Sequence, residues 1–177
     1  MTTDTLETFT AAARRAASQV REVTSAEEVA ELLVGFADGW PVAVSPALVG
    51  GDIVAALTAA GAPMVVPDGE DAAAQVADAP VAVVTGELAV AETGSVLISE
   101  HLLAERVVTM LCRHLVQVVD HAAVLPSLDD AASWLADRAG VAGFASLMTG
   151  PSRTADIERS LSIGVQGPDE VTVLVRR

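Results

Sequence analysis

The sequence is short of large aromatic side chains. Among its 177 residues there are three Phe, two Trp and no Tyr, although 51% of the residues are apolar. The apolar residues are mostly Ala, Val and Leu, which suit packing between helices and sheet better than a core built on aromatic anchors. Domains usually have about 100–200 residues, so we expect a single domain.

Basic residues are also scarce. The chain has 10 Lys and Arg against 24 Asp and Glu, which gives a formal net charge of −14. A surface of that charge repels nucleic-acid phosphates and anionic lipid headgroups. We therefore expect neither nucleic acid nor a membrane as a partner, and solubility is the simplest consequence of the charge.

Cysteine is nearly absent, since Cys112 is the single one. One thiol cannot form an internal disulfide, and it cannot hold zinc or an iron–sulfur cluster without ligands of other types. The three histidines lack the spacing of a helical metal site, and no G-x-G-x-x-G stretch is present. Met1–Thr10 has no basic or apolar region of a signal peptide, and the apolar runs are too short to span a bilayer. These observations predict a cytoplasmic protein without a cofactor.

Two helices are predicted near the N-terminus. Apolar residues between Thr5 and Val20 recur at helical spacing. Ser25, followed three residues later by Glu, predicts the capped start of a second helix, and Gly39 is its expected stop. Because both helices precede the first predicted strand, we expect residues 1–39 to form a helical segment packed on an α/β domain of residues 40–177.

From Trp40 onward, short apolar runs alternate with helical stretches. The runs of strand length are 41–45, 63–66, 81–84, 96–99, 115–119, 143–148 and 171–175, and the intervening helices are predicted at 52–60 and 127–139. Nearly continuous runs rich in β-branched residues are typical of strands buried on both faces of a parallel sheet. The alternation predicts a three-layer α/β fold with a mostly parallel open sheet.

The most informative segment is Thr149–Glu158, which follows a predicted strand and leads into a predicted short helix. Gly150 permits an unusual backbone angle, and Ser152 or Thr154 can cap the helix. Free N–H groups at a helix start bind anions, and Arg153 adds guanidinium donors. These four residues are therefore candidate ligand contacts. The alternative is a capped connection in which Arg153 pairs with a nearby acidic residue.

Two further loops carry candidate contacts. In Gly164–Pro168, glycines surround Gln166, and both Gln166 and Gly167 are candidates, although such loops are often only turns. In the second loop the candidates are Glu92, Thr93, Gly94 and Ser95. We expect all three loops to meet in one cleft at the carboxyl ends of the strands.

His114 stands at the beginning of an apolar run and is, like Glu92, a catalytic candidate. Strand ends in α/β folds are where sites form, but a single histidine more often has a structural role. Cys112 lies two residues earlier, and positions two apart on a strand share a face. A Cys–His pair is therefore a further alternative, for which no third orienting residue can be named.

Together these segments resemble the LUD-domain family. The Gly-Pro-Ser-Arg-Thr-Ala-Asp-Ile-Glu stretch of residues 150–158 is similar to the family's most distinctive motif, and it is followed at the expected distance by residues 164–168. The 91–95 loop, Arg106 and His114-Leu115-Val116 also resemble family segments. The family commonly has histidine where this chain has Gln166. An acid–base role of that histidine would be lost here, whereas glutamine can replace a histidine that only donates a hydrogen bond.

The resemblance implies a fold like that of the sugar-isomerase and CoA-transferase superfamily. It also implies a role in oxidising L-lactate to pyruvate beside partner proteins that carry iron–sulfur clusters. The leading hypothesis is an accessory, non-redox subunit that binds a small anionic ligand. The alternatives are a stand-alone enzyme acting on a CoA ester or phosphosugar, with Glu92 as nucleophile or base, and a scaffold with a vestigial pocket. Whether the chain forms a homo-oligomer stays open.

Overall fold

The computed structural model describes residues 3–77, 79–138, 144–155, 161–163 and 167–177. The helices are α1 (Thr3–Arg15), α2 (Ala26–Ala37), α3 (Asp52–Ala59), α4 (Ala72–Val76), α5 (Leu103–Leu111) and α6 (Leu128–Ala136). The strands are β1 (Gln19–Val23), β2 (Val42–Val44), β3 (Met64–Val65), β4 (Val81–Thr85), β5 (Leu88–Val90), β6 (Ser95–Glu100), β7 (His114–Asp120), β8 (Val124–Leu125), β9 (Phe144–Met148), β10 (Arg153–Ala155), β11 (Leu161–Ile163) and β12 (Glu170–Arg176).

The centre of the fold is a six-stranded parallel sheet with the order β1-β12-β7-β4-β2-β3. Its inner strands are valine-rich and buried on both faces, as expected of parallel strands. Helices α2 and α3 cover one face, where Leu33 and Leu57 are fully buried. Helices α1 and α5 lie on the other face, through Phe9 and Val108. The predicted three-layer, mostly parallel α/β fold is confirmed.

A second, four-stranded sheet shares the face occupied by α1 and α5. Its order is β8-β5-β6-β9, with β6 antiparallel to both β5 and β9. Val96 and Ile98 of β6 join the same core as Phe9 and Val108. The predicted strands at 96–99 and 143–148 therefore exist, but they belong to this mainly antiparallel sheet rather than to the parallel one.

The N-terminal segment differs from the helical prediction. Helix α1 ends at Arg15, where Ala17 adopts a left-handed φ of 67°. The chain then forms β1, which pairs in parallel with β12. The description of residues 1–39 as purely helical is therefore wrong at residues 19–23. The predicted cap of α2 is confirmed, because the Ser25 hydroxyl accepts a hydrogen bond from the Glu28 N–H at 3.2 Å.

The predicted short helix after Ser152 is also wrong at its start. Residues 153–155 form β10, which pairs antiparallel with β11, and residues 156–160 lie outside the described ranges. The anion site predicted at a helix start therefore loses its helical basis at Arg153. In the described chain, none of the helices has the length and apolar character needed to cross a membrane.

Candidate functional site

Gly94 and Gly150 lie directly against the last turns of α1. Both have left-handed backbones, with φ of 70° and 74°. A Cβ on Gly94 would stand 2.2 Å from the Ala13 nitrogen, and one on Gly150 would stand 2.0 Å from the Ala16 carbonyl oxygen. We call this contact the α1 seam. The two glycines predicted as ligand contacts are thus required by backbone packing.

A chain of three hydroxyl groups lies beside the α1 seam. The Ser95 hydroxyl shares hydrogen bonds with Thr93 at 2.7 Å and with Thr149 at 2.6 Å. Ser95 is buried, Thr93 is half-buried and Thr149 is exposed. The chain therefore joins the β5–β6 turn to the end of β9 and reaches solvent at Thr149.

The loop at Gly167–Pro168 contacts the loop at Ser152. The Ser152 N–H donates to the Pro168 carbonyl at 2.9 Å, and a Cβ on Gly167 would lie 3.1 Å from the Ser152 Cβ. The structure thus brings parts of all three loops into one connected region. The expected position at the carboxyl ends of the strands is wrong for the 167–169 loop, because this loop precedes β12 and its Asp169 N–H donates to the Arg113 carbonyl just before β7.

The Glu92 side chain forms a hydrogen bond with the start of α6. Its exposed carboxylate accepts a hydrogen bond at 3.0 Å from the N–H of Leu128, the first residue of that helix. A carboxylate at this position also interacts favourably with the positive end of the helix. The contact gives Glu92 a capping role, and its role as a nucleophile or base stays a prediction.

His114 begins β7 at the amino edge of the parallel sheet, in register with the first residues of β4 and β12. Its Nε2 shares a hydrogen bond of 2.8 Å with the Thr172 hydroxyl, and its ring lies 4.5 Å from that of Phe36. Burial lowers the pKa of His114. It therefore lies at the strand end opposite to the one where sites usually form in such folds.

Cys112 directly follows α5 and is buried, with its Sγ 3.9 Å from the Thr109 carbonyl oxygen. Burial raises the pKa of this thiol to about 12, and a protonated thiol is a poor nucleophile. Because Cys112 and His114 contact other groups, they form no catalytic pair.

Three predicted contacts lie wholly or partly outside the described residues. The backbones of Arg153 and Thr154 belong to β10, and their side chains fall outside the description, as does all of Gln166. Their assignment as ligand contacts stays a prediction.

A groove along α5 was not predicted. It has a volume of about 790 Å³ and runs from α5 to the 167–169 loop. We call it the α5 groove. Its walls include Leu103, Val107, Met110, Leu111, Arg106 and Arg113, and Gly167 and Asp169 lie on its other side. Ligand sites are commonly apolar clefts of about 300–1,000 Å³ with a few polar groups, and the α5 groove fits that description.

Arg106 is the least satisfied polar residue of the α5 groove. Its Nε is buried and has no hydrogen-bond partner within the described ranges, and its guanidinium carbon lies 4.4 Å from the centre of the Phe144 ring. Glu100 stands opposite Phe144 in the β6–β9 register and has a buried carboxylate oxygen that likewise lacks a partner in the described chain. Arg113 differs, because it pairs with Asp169 at 3.3 Å.

Sequence reasoning noted Arg106 only through the family resemblance. The available signal was a single arginine inside the apolar helical stretch 103–111 of a chain with only 10 basic residues. What could not be read was that Arg106 and the 167–169 loop line the same groove, because this depends on how α5 packs in the folded chain.

A second cleft, of about 770 Å³, lies where β1, β7 and β12 end, beside α1. This is the edge at which parallel sheets usually bind ligands. Three of its charged groups are already occupied, since Arg177 pairs with Glu22 and the Asp120 carboxylate accepts the Ala122 N–H at 2.7 Å. We therefore favour the α5 groove, where the Nε of Arg106 lacks a hydrogen-bond partner in the part of the chain that the structure describes. The described residues contain no cluster of His, Cys, Asp or Glu that could hold a metal ion.

Comparison with known proteins places these segments in one family. The LUD domain matches residues 6–175, nearly the whole chain. The chain belongs to the LUD-domain family. The matched region takes in the α1 seam, the motif loops and the α5 groove, so all of the features described above belong to the LUD domain.

Curated relatives include two proteins named lactate utilization protein C. The one from Geobacillus thermodenitrificans (strain NG80-2) is 31% identical over 89 residues, which cover 48% of this chain and 37% of the relative. The one from Macrococcus caseolyticus (strain JCSC5402) is 32% identical over 89 residues, which cover 48% of this chain and 38% of the relative. Each match therefore spans well under half of the relative's length.

A solved structure supports the fold. The crystal structure of a DUF162 family protein from Deinococcus radiodurans aligns with a TM-score of 0.72 at 15% identity, covering 98% of this chain and 97% of that one. At this identity the similarity concerns the fold alone.

Proposed function

We propose that this LUD-domain protein acts in the oxidation of L-lactate to pyruvate as a non-redox subunit that binds a small anion at Arg106. The similarity to proteins named lactate utilization protein C supports the pathway. The observation that carries the binding site is the Arg106 side chain that lines the α5 groove, whose buried Nε has no hydrogen-bond partner among the described residues.

A carboxylate would satisfy Arg106 well. A guanidinium presents donors in a planar fork that matches the two oxygens of a carboxylate. The Phe144 ring lies against the guanidinium, and this cation–π contact restrains its plane. A buried donor without a partner costs about 1–3 kcal/mol, which an incoming anion would offset. On a chain with a formal charge of −14, such a local cation is where we expect an anion to bind.

The motif loops are connected to the wall of the α5 groove at Gly167. The α1 seam holds Gly150, and the bond from the Ser152 N–H to Pro168 connects that loop to Gly167 at the groove. Ser152 and Gly167 are therefore retained in the proposed site, whereas Glu92, Gly94 and Gly150 act through structure. Arg153, Thr154 and Gln166 remain predicted contacts of the same ligand.

Redox partners complete the proposal. Oxidation of lactate to pyruvate removes a pair of electrons and two protons, and we assign the electrons to separate proteins with iron–sulfur clusters. The one cysteine of this chain, Cys112, is buried, and a lone thiol cannot hold such a cluster.

Calorimetric titration of the purified protein with L-lactate and with pyruvate tests the site. We expect measurable binding, and we expect Arg106→Ala to weaken it about tenfold or more, since a charge-assisted hydrogen bond contributes about 1.5–3 kcal/mol. Arg138→Ala is the matched control, because Arg138 also stacks on an aromatic ring, 3.7 Å from the centre of Trp134, but lies outside the α5 groove. Absence of binding by both anions, or an equal loss in both variants, would contradict the site.

Growth on L-lactate as the carbon source tests the pathway. A strain that lacks this protein is expected to grow poorly on lactate and normally on a sugar. The wild-type gene is expected to restore growth on lactate, and the gene for the Arg106→Ala variant is expected to restore it less well. Undiminished growth of the deletion strain on lactate would contradict the proposed role.

A further inference from the structure

The α5 groove is more apolar than a lactate molecule requires. Leu103 is 63% exposed and Met110 is 59% exposed, and Leu111 beside them is exposed as well. Contiguous exposed apolar surface of this kind usually marks a binding site. Lactate has a single methyl group to place there, so most of this surface would remain in water.

The exposed apolar residues follow one side of α5. Leu103, Val107 and Met110 stand four and three residues apart, which places them in a row on the helix surface. From Leu103 to Leu111 the helix rises about 12 Å, which accommodates a medium-length alkyl chain. Arg106 lines the same groove, and Arg113 lies beyond the end of the helix.

We infer that the α5 groove binds a carboxylate that carries an alkyl chain, such as a 2-hydroxy acid longer than lactate. The carboxylate binds Arg106, and the chain lies along Leu103, Val107 and Met110. Charge complementarity identifies this occupant, because a cationic group within an apolar groove matches an anionic head with an apolar tail. This inference rests on the proposed function and specifies the class of anion that the same site prefers.

A homologous series of ligands tests the inference. L-Lactate, 2-hydroxyhexanoate and 2-hydroxyoctanoate are titrated into the full chain by calorimetry, each below the concentration at which it aggregates. Burial of a methylene group contributes about 0.8 kcal/mol, which corresponds to about fourfold in the dissociation constant. We expect affinity to rise along the series by up to that factor for each methylene.

Two variants test the contacts of the carboxylate and of the alkyl chain separately. Arg106→Ala is expected to weaken every member of the series by a similar factor. Met110→Ser is expected to reduce the gain in affinity with chain length, measured relative to the affinity of the same variant for lactate. Val34→Ser is the matched control, since Val34 is an apolar residue 40% exposed on α2, which packs on the opposite face of the parallel sheet; it is expected to change nothing.

The outcomes distinguish the two proposals. Equal affinity along the series, with binding that still depends on Arg106, overturns the alkyl-chain inference and leaves the proposed function in place. A gain with chain length that Met110→Ser does not reduce, or that Val34→Ser reduces equally, also overturns the inference, because the tail then binds elsewhere. No binding by any member overturns both.

Discussion

The α1 seam and the α5 groove are built on opposite principles. At the α1 seam two glycines bring loop backbone against helix backbone, and no space remains for even a methyl group at Gly94 or Gly150. At the α5 groove large side chains such as Met110 remain exposed, and Arg106 has a buried nitrogen without a partner in the described chain. The α1 seam is therefore closed, whereas the α5 groove is open and includes a donor without a partner among the described residues.

Residues of one sequence motif therefore have different roles. Gly150 belongs to the most distinctive stretch of the family resemblance, yet its role is to position that stretch against α1. Ser152, two residues later, contacts Pro168 beside the α5 groove. A motif can thus be distinctive because its loop needs a fixed position, while the proposed ligand contact, Arg106, lies on a helix elsewhere in the chain.

Gly94→Ala is expected to cause the largest effect and to break the α1 seam. The added Cβ would overlap the Ala13 nitrogen at 2.2 Å and the Ala12 carbonyl carbon at 2.5 Å. Overpacking costs about 1–3 kcal/mol and occasionally more, and the left-handed backbone adds about 1–2 kcal/mol. We expect a loss of about 3 kcal/mol or more in the free energy of unfolding, measured by urea denaturation.

Gly61→Ala is the control for that substitution. Gly61 has a similar left-handed φ of 65°, and a Cβ there would meet no atom within 4 Å. It therefore isolates the backbone cost, of about 1–2 kcal/mol. Similar losses for the two variants would show that the close contact of Gly94 with α1 contributes little.

Ser95→Ala is expected to have an intermediate effect on the same region. It removes the central hydroxyl of the Thr93–Ser95–Thr149 chain and leaves half-buried Thr93 without that partner. We expect a loss of about 1–2 kcal/mol by urea denaturation. Ser133→Ala serves as the control, since the Ser133 hydroxyl bonds its own helix at an exposed position; an equal effect of the two substitutions would argue against the hydroxyl chain as a stabilising element.

Local sequence signals predicted the elements whose causes are local. Ser25 caps α2 by a contact only three residues away, and the valine-rich runs became β4, β7 and β12. Strand β1 was missed because four of its five side chains are partly or fully exposed, so it lacks the apolar run of a buried strand. The second sheet was missed because an apolar run does not reveal whether its neighbours are parallel or antiparallel.

The candidate site was also predictable only in part. The loops around Ser95, Ser152 and Gly167 were identified, because glycine, serine and proline mark tight turns wherever they lie. The environment of Arg106 was not predicted, since its guanidinium stacks on Phe144, a residue far along the chain. Contacts between distant segments follow from packing, which periodicity does not encode.

The smallest expected effect is the pH dependence that His114 gives to stability, and it compares the surroundings of the α5 groove with those of the α1 seam. His114 lies next to Arg113 and Asp169 at the amino edge of the parallel sheet, whereas the hydrogen-bonded side chains beside the α1 seam are hydroxyls that do not titrate. Burial is the main cause of the lowered pKa of His114; nearby Arg21 lowers it further, and Glu170 acts in the opposite direction. The folded protein therefore holds this imidazole neutral at pH values at which the unfolded chain has begun to bind a proton.

The sign of the pH dependence follows from that difference. Stability from neutral His114 is fully present above the unfolded pKa of about 6.5, and it is lost as the pH falls from there towards the lower folded pKa. His114→Gln keeps a hydrogen-bonding group near Thr172 and cannot titrate. Between about pH 7.5 and 5.5, urea denaturation of the wild type is expected to show a steeper loss than the variant, by less than about 1.4 kcal/mol per pH unit, the limit for one proton. Parallel pH profiles would mean that His114 contributes nothing to the loss of stability at acid pH. The stability of the amino edge beside the α5 groove would then depend on pH no more than that of the α1 seam.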